Sequence, residues 1–244
     1  MSFGRRQQPP GGEQPAPRPT PHPEIARPVI SPSLQPPEPE QVNPKMLPAA
    51  QALARLLLAD YGDRNGNVHA PSVIGAAAAL TGEFAQRAGG VEPGTGKPGY
   101  IFGDAINEVL LEGRDKGRTT VWDCLTRAWR EAGLPENEIF DPVDLIRNVA
   151  DAVGGPSFPP LTVPNAHYPH EYSPNACVRL RPKVIAVADQ FDLSRRDLAI
   201  ALAMAVYQLI LLTRDAIPPA ISVRLAAEIC FGVAKMNPLT AVLG

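Results

Sequence analysis

Residues 194–212 read SRRDLAIALAMAVYQLILL, and this stretch decides the fold class. It opens with a capping-box-like SRRD, and Leu198–Leu212 then carries no charge, with Tyr207 and Gln208 as its polar residues. This run is shorter than the roughly 18–20 residues that span a bilayer. A helix that is apolar all round is normally the central one of a bundle. We therefore expect the other helices to surround it, and Gln208 to find a partner in the core.

Seven further helices can be placed from start and stop residues on both sides of this run. Proline at a first helical position and glycine just past a last one mark several ends. No segment alternates polar and β-branched residues between turn signals, so we predict no strand. The predicted spans are Pro48–Tyr61, Pro71 to Gly89, Phe102–Glu112, Thr120 as N-cap to Gly133, Asp141 as cap to Gly154, Pro174–Phe191 with a kink or break at Pro182, and a last helix from Pro218.

The N-terminal segment has a different composition from the rest of the chain. Fourteen of the 29 prolines fall in the first 48 residues. Proline fixes φ and removes a backbone donor, so neither a helix nor a β-ladder can form there. We predict a disordered Pro-rich arm over residues 1–45 and a single all-α, bundle-like domain of about eight helices over residues 46–244. A tether suits the arm better than a groove ligand, because acidic residues flank its P-x-x-P spacing at Pro36–Pro39.

Charge and cysteine content restrict the class of partner and the compartment. The formal net charge is −2, and no nucleic-acid-binding motif accompanies the densest basic patch. The three cysteines form no C-x-x-C pair, which indicates reduced thiols and favours a cytoplasmic location. The sequence argues against nucleic-acid binding and integral membrane insertion, and does not fix the oligomeric state. The basic patch comprises Arg179, Arg181, Lys183, Arg195 and Arg196.

A proline-rich loop before the sixth helix carries the residue types best suited to chemistry. His167, His170 and Glu171 lie close together in it, and two imidazoles with a carboxylate can bind zinc or transfer protons. His69 and Cys177 are possible further ligands by residue type alone. The alternative is that the prolines and aromatic residues strap the loop across the bundle while the histidines face water. No complete ligand set is visible, which favours this second interpretation.

The remaining motifs indicate no cofactor. Gly89–Gly99 is rich in glycine, but Val91 and Pro98 stand where a phosphate-binding loop needs glycine and Ser or Thr. We therefore expect no cofactor. Trp122 and Trp129, seven residues apart, share one face of the fourth helix and are candidate anchors for a partner protein.

The missing motifs and the architecture together favour a non-catalytic interaction or regulatory protein. In this hypothesis the helical body binds another protein and the Pro-rich arm serves as a tether. Two alternatives stay open at this point. One is an enzyme or metal-dependent protein built around the His167–Glu171 loop. The other is a peripheral membrane protein that uses the apolar helix Leu198–Leu212.

Overall fold

The computed structural model describes residues 43–92, 99–100, 103–152 and 161–237, with the backbone alone at residues 99, 100 and 237. Within these ranges the chain is all-α, and its eight α-helices share one hydrophobic core. The Pro-rich arm predicted over residues 1–45 lies outside the described residues, apart from its last three. The helices are α1 (Met46–Tyr61), α2 (Ala70–Ala88), α3 (Asp104–Leu110), α4 (Val121–Glu131), α5 (Pro142–Ala152), α6 (Ser173–Phe191), α7 (Arg195–Leu212) and α8 (Pro219–Lys235).

Local signals fix the ends of these helices, as the sequence indicates. At the start of α4 the Thr120 hydroxyl accepts from the Asp123 N–H, and the Asp123 carboxylate accepts from the Thr120 N–H. This exchange satisfies two backbone N–H groups that have no partner within the helix. At the start of α7 the Ser194 hydroxyl accepts from the Asp197 N–H. Past the end of α4, Gly133 takes φ +76°, a left-handed conformation that suits glycine. The predicted and observed ends of these two helices agree.

The central helix of the bundle is α2, whereas the sequence predicts that α7 is central. Every residue of α2 from Ala70 to Gln86 is buried, because α7 and α8 pack along it and α6 and α1 cover its remaining sides. Small side chains make this possible. A Cβ at Gly82 would lie 2.3 Å from the Cys230 carbonyl oxygen, so the backbones of α2 and α8 approach more closely than any larger residue permits.

The prediction that α7 is enclosed on all sides is wrong in part. Its inner face packs on α1, α2 and α4, but Met204, Tyr207 and Gln208 are half-buried and Leu212 is 65% exposed. Gln208 therefore lies at the edge of the core, where water can reach it. In the described part of the chain, no helix is both long and apolar enough to cross a membrane.

Two details of local structure differ from the sequence-based expectation. Gly99–Tyr100 (β1) pairs antiparallel with Met236–Asn237 (β2), although no strand is predicted. Two residues are too few to leave a period-two pattern in a sequence. The helix α6 runs through Pro182 without a break. Pro182 and Val178 are both exposed, so the Val178 carbonyl that loses its helical partner faces the solvent side.

Candidate functional site

The loop that precedes α6 lies across three helices of the bundle, and we call its described residues 161–172 the strap. Its first part is held by α8. The Thr162 N–H donates to Glu228 Oε2 at 2.8 Å, and the Val163 side chain is buried. Glu228 is itself 3% exposed and also accepts from Arg224 Nε at 2.7 Å. A buried carboxylate with donors from two segments fixes this end of the strap firmly on α8.

The middle of the strap is held by the start of α2. The rings of His170 and His69 are stacked, with centroids 3.7 Å apart and planes within 8°. The His170 N–H donates to the Ser72 hydroxyl at 2.9 Å, and Ser72 Oγ lies 2.8 Å from His69 Nδ1. Pro169 packs against Gly75, where a Cβ would come within 2.8 Å of the proline ring. The strap and α2 thus fit together through a serine, a glycine and a pair of imidazoles.

Two predicted site residues, His69 and His170, are therefore in contact, while His167 lies in a short 3-10 turn of the strap, where its backbone N–H donates to the Pro164 carbonyl at 2.8 Å. Burial, followed by the electrostatic influence of His170 and His167, holds the pKa of His69 below its ordinary value. Among the described residues no group of three His, Cys, Asp or Glu side chains is placed to hold a metal ion. Ser72 is 4% exposed, so its contact with His69 is made by a buried residue of α2.

The end of the strap is held by α1 and α6. Glu171 accepts from Arg179 Nη2 at 2.8 Å and from the Tyr61 hydroxyl. Arg179 also pairs with Asp60, which is paired with Lys183 as well. The hydrogen bond from Arg179 holds the pKa of Glu171 below its usual range. Burial and the neighbouring Glu171 carboxylate raise the pKa of Tyr61.

Cys177, the remaining candidate ligand, lies in the core behind this network. It is 4% exposed, and burial followed by the nearby Glu83 carboxylate raises its pKa well above the usual value. Glu83 is 2% exposed and is bound by Arg181 and Arg87. A thiol in this environment stays protonated and behaves as a small apolar side chain.

The predicted basic patch is compensated by carboxylates on several elements. Arg181 pairs with Glu83, and Arg195 pairs with Glu92. Arg196 donates to the Thr119 carbonyl. Together with the pairing of Arg179 and Lys183 to Asp60, these contacts give the patch a structural role in joining α6 and α7 to the bundle.

The strap and α6 together carry a concentration of exposed apolar side chains. Of seven large apolar residues that are exposed in the described ranges, four lie between residues 168 and 185. Exposed Pro182 adds to them, one turn from Val178 and from Ile185 on the outward side of α6. We call this surface the strap–α6 face. Its large residues are Tyr168 (37% exposed), Tyr172 (51%), Val178 (45%) and Ile185 (38%).

The two tryptophans lie elsewhere and are largely enclosed. Trp129 is 5% exposed, and its Nε1–H donates to the Pro135 carbonyl at 2.8 Å. Trp122 is half-buried, with its ring 5.4 Å from Phe140 and 6.3 Å from Phe231. Both tryptophans are core-facing in this structure, and their assignment as partner anchors stays a prediction from sequence.

Sequence reasoning missed the partners of the strap. Tyr61, Ser72 and Glu228 are far from it in the chain, and the contact between Ser72 and His170 joins residues 98 positions apart. The one local signal is the serine at the start of α2, which sits next to a histidine-containing turn. Such a serine is ordinarily taken for a helix-start residue, because Ser is common in the first turn.

Comparison with known proteins adds no relative. The chain matches no family model, and no curated protein and no solved structure is significantly similar to it. The argument about function therefore depends on the geometry of the described residues.

Proposed function

We propose that this protein is a non-catalytic interaction protein that binds a partner protein through the strap–α6 face. The observation that supports the proposal most directly is the grouping of Tyr168, Tyr172, Val178 and Ile185 within one short segment. Exposed apolar residues scattered singly are normal on a monomer, and contiguous ones mark interaction surfaces. Val178 and Ile185 are seven residues apart on α6 and therefore lie on one side of it, with exposed Pro182 between them.

The side-chain types on this face suit recognition. Tyrosine combines a large apolar ring with a hydroxyl and loses little rotamer entropy on binding, so it is enriched at interface hot spots. Val178 and Ile185 are β-branched and stiff, which also lowers the entropy lost on binding. The face therefore offers rigid apolar groups for a partner to cover.

The scaffold beneath the face is rigid. The strap is anchored at Glu228, at Ser72 and at Glu171, and α6 is tied to α2 by the Arg181–Glu83 pair. A preorganised surface binds more tightly because less ordering is needed on association. This anchoring explains how an irregular loop can serve as part of an interface.

The charges around the face indicate the chemistry of the partner. Arg179 and Lys183, beside the apolar residues, are already paired with Asp60. The outward side of α6 adds only Asp189 as a further charge near Ile185. A partner that presents a largely uncharged apolar surface fits this arrangement best, since unmatched charges would be buried at a cost.

A pull-down with matched variants tests the proposal. Tagged full-length protein and the double variant Val178→Asp/Ile185→Asp are compared in native lysate. The control variant is Leu212→Asp, because Leu212 is 65% exposed and lies on α7, outside the strap–α6 face. A stoichiometric partner that the wild type and the control retain and the double variant loses would support the strap–α6 face. Equal recovery by all three proteins would overturn it.

The Pro-rich arm is part of the same proposal, as a tether. Its composition, with alternating prolines from Pro15 to Pro23, suits a spacer and not an apolar contact surface. A chain that begins at Asn43 is therefore expected to capture the same partner. Capture by the full-length chain alone would instead assign recognition to the arm.

A further inference from the structure

Two histidines of this chain meet where the strap crosses the start of α2. His170 belongs to the strap, and His69 immediately precedes the first residue of α2. His69 and His170 are stacked face to face, with ring centroids 3.7 Å apart. Two neutral imidazoles pack well at this distance, whereas two imidazolium rings would bring like charges into contact.

The hydrogen bonds around the stack are complete when His69 is neutral. The Ser72 hydroxyl accepts the backbone N–H of His170 at 2.9 Å, and when neutral His69 carries its proton on Nε2, the same hydroxyl donates to His69 Nδ1 at 2.8 Å. Protonation of His69 at Nδ1 turns this acceptor into a donor. The Ser72 hydroxyl proton then loses its acceptor. Ser72 is 4% exposed, so water is a poor replacement for that acceptor.

The neighbouring charged groups do not supply the missing compensation. From α1, Tyr61 is bound to Glu171, the residue after His170, and Asp60 is bound to Arg179. From the strap itself, Glu171 is bound to Arg179 of α6. Burial, followed by the electrostatic influence of His170 and His167, lowers the pKa of His69. The remaining charged groups near the ends of the strap are Lys183 of α6, paired with Asp60, and Glu228 and Arg224 of α8, paired with each other.

We propose that the His69–His170 stack is an acid-sensitive latch, which holds the middle of the strap on α2 at neutral pH and releases it as the pH falls. The inference concerns the strap alone and does not depend on the proposed partner. Release moves His170 away from Ser72 and Pro169 away from Gly75, and it exposes the start of α2.

The direction of the pH dependence follows from linkage. His69 titrates below its ordinary value of about 6.5 when the strap is closed, and near that value when it is open. The open strap therefore binds more protons, so a falling pH favours opening from about 6.5 downward. Uptake of one such proton raises the equilibrium constant for opening by up to about tenfold for each unit that the pH falls. The rise ends when the closed state is protonated as well.

Two backbone amides of the strap provide an internal comparison. The His170 N–H is bound to Ser72 at the latch, and the Thr162 N–H is bound to Glu228 at the other end. Amide hydrogen exchange of the full-length protein is followed by NMR from pH 7.5 to 5.5 and corrected for the intrinsic pH dependence of exchange. We expect the opening equilibrium at the His170 amide to rise by up to about tenfold over this interval, the limit for one proton with an open-state pKa near 6.5. The Thr162 amide should change much less.

A variant separates charge from packing. His170→Phe keeps an aromatic ring on His69 but removes one titrating group, so the acid-induced rise at residue 170 should be largely lost. Thr162→Val is the matched control, because it loosens the strap at Glu228 without changing a titrating group. Its acid-induced rise at His170 should equal that of the wild type.

The outcomes that overturn the latch are distinct. One is a corrected opening equilibrium at His170 that is the same at pH 7.5 and 5.5. Another is a His170→Phe protein with the full wild-type pH dependence. If that variant does not fold, the imidazole proton resonances of His69 in the wild type decide, since an ordinary pKa near 6.5 for His69 would also refute the proposal.

Discussion

The buried carboxylate of Glu83 accepts two parallel hydrogen bonds from the Arg181 guanidinium, at 2.5 Å from Nε to Oε1 and 3.0 Å from Nη2 to Oε2. Arg87, one turn along α2, donates to the same Oε1 at 2.9 Å. This arrangement joins the central helix α2 to the outer helix α6. Glu83 is 2% exposed, so the two arginines provide most of its compensation.

Glu83→Gln is expected to destabilise the fold. The amide keeps the shape but cannot accept two charge-assisted bonds, and it leaves two arginines without their shared carboxylate. We expect a loss of about 2–3 kcal/mol in the free energy of unfolding, the range for hydrogen bonds to charged groups. Urea denaturation at pH 7 measures this as a lower midpoint with an unchanged slope.

A matched control exists on the surface. Glu131 pairs with Arg127 at the same i,i+4 type of spacing and also accepts from the Tyr207 hydroxyl, but the Glu131 and Arg127 side chains are 41% and 63% exposed. Glu131→Gln should cost less than about 1 kcal/mol, because exposed ion pairs contribute little. If the two variants lose equal stability, the buried position of Glu83 does not have the importance assigned to it here.

The contact between α2 and α8 depends on Gly82. A Cβ there would lie 2.3 Å from the Cys230 carbonyl oxygen and 3.0 Å from the Ala234 nitrogen, and neither backbone atom can move alone. Gly82→Ala should therefore destabilise the protein by about 3 kcal/mol, although alanine favours helix formation. In Gly103→Ala the new Cβ meets the Ile106 side chain at 3.6 Å, an ordinary contact, so thermal unfolding should shift far less. Equal shifts would contradict the close approach.

Sequence reasoning recovers what short-range physics determines. The cap residues Thr120 and Ser194 and the stop residue Gly133 place helix ends within a residue or two, because each acts on its own turn. The centre of the bundle is a different kind of property. Hydropathy favours α7. The central helix is α2, because its glycine and alanine residues let α7 and α8 pack closely along it, and a hydropathy scale gives little weight to small side chains.

The candidate site shows the same limit. The residue types in the His167–Glu171 segment attract notice in the sequence, yet their environment depends on Ser72 and Tyr61, which are about a hundred residues away in the chain. No local pattern encodes such pairings. Trp129 illustrates the converse, since helical spacing shows which face it shares but leaves open whether that face is core or surface.

All three cysteines should be unreactive in the native protein. Cys124, Cys177 and Cys230 are buried, and burial raises the pKa of Cys124 to about 12. The thiolate is the reactive form, so a disulfide reagent at pH 8 should modify none of them on the timescale of minutes. The same reagent in concentrated denaturant should modify three thiols per chain. Rapid native modification of even one would show that this part of the core opens readily.

The network of Glu171, Arg179 and Tyr61 at the end of the strap should make the free energy of unfolding depend on pH, in a range below that of the His69–His170 latch. Arg179 holds the pKa of Glu171 below its usual range, so the folded protein releases this proton more readily than the unfolded chain. The stabilisation is therefore fully present above the ordinary pKa of about 4.5 and is lost as the pH falls through the lowered native value. Glu171→Gln should cost about 1 kcal/mol at pH 7, a modest figure because Arg179 is partly exposed.

The pH dependence of that difference is the decisive measurement. Urea unfolding of the wild type and Glu171→Gln between pH 7 and 3 should show a constant gap down to about pH 5, followed by convergence below it. Glu136→Gln is the control, since Glu136 is 74% exposed in its pair with Arg130, and its gap should be near zero throughout. A gap for Glu171→Gln that persists unchanged at pH 3 would mean that its carboxylate contributes through packing and not through its charge.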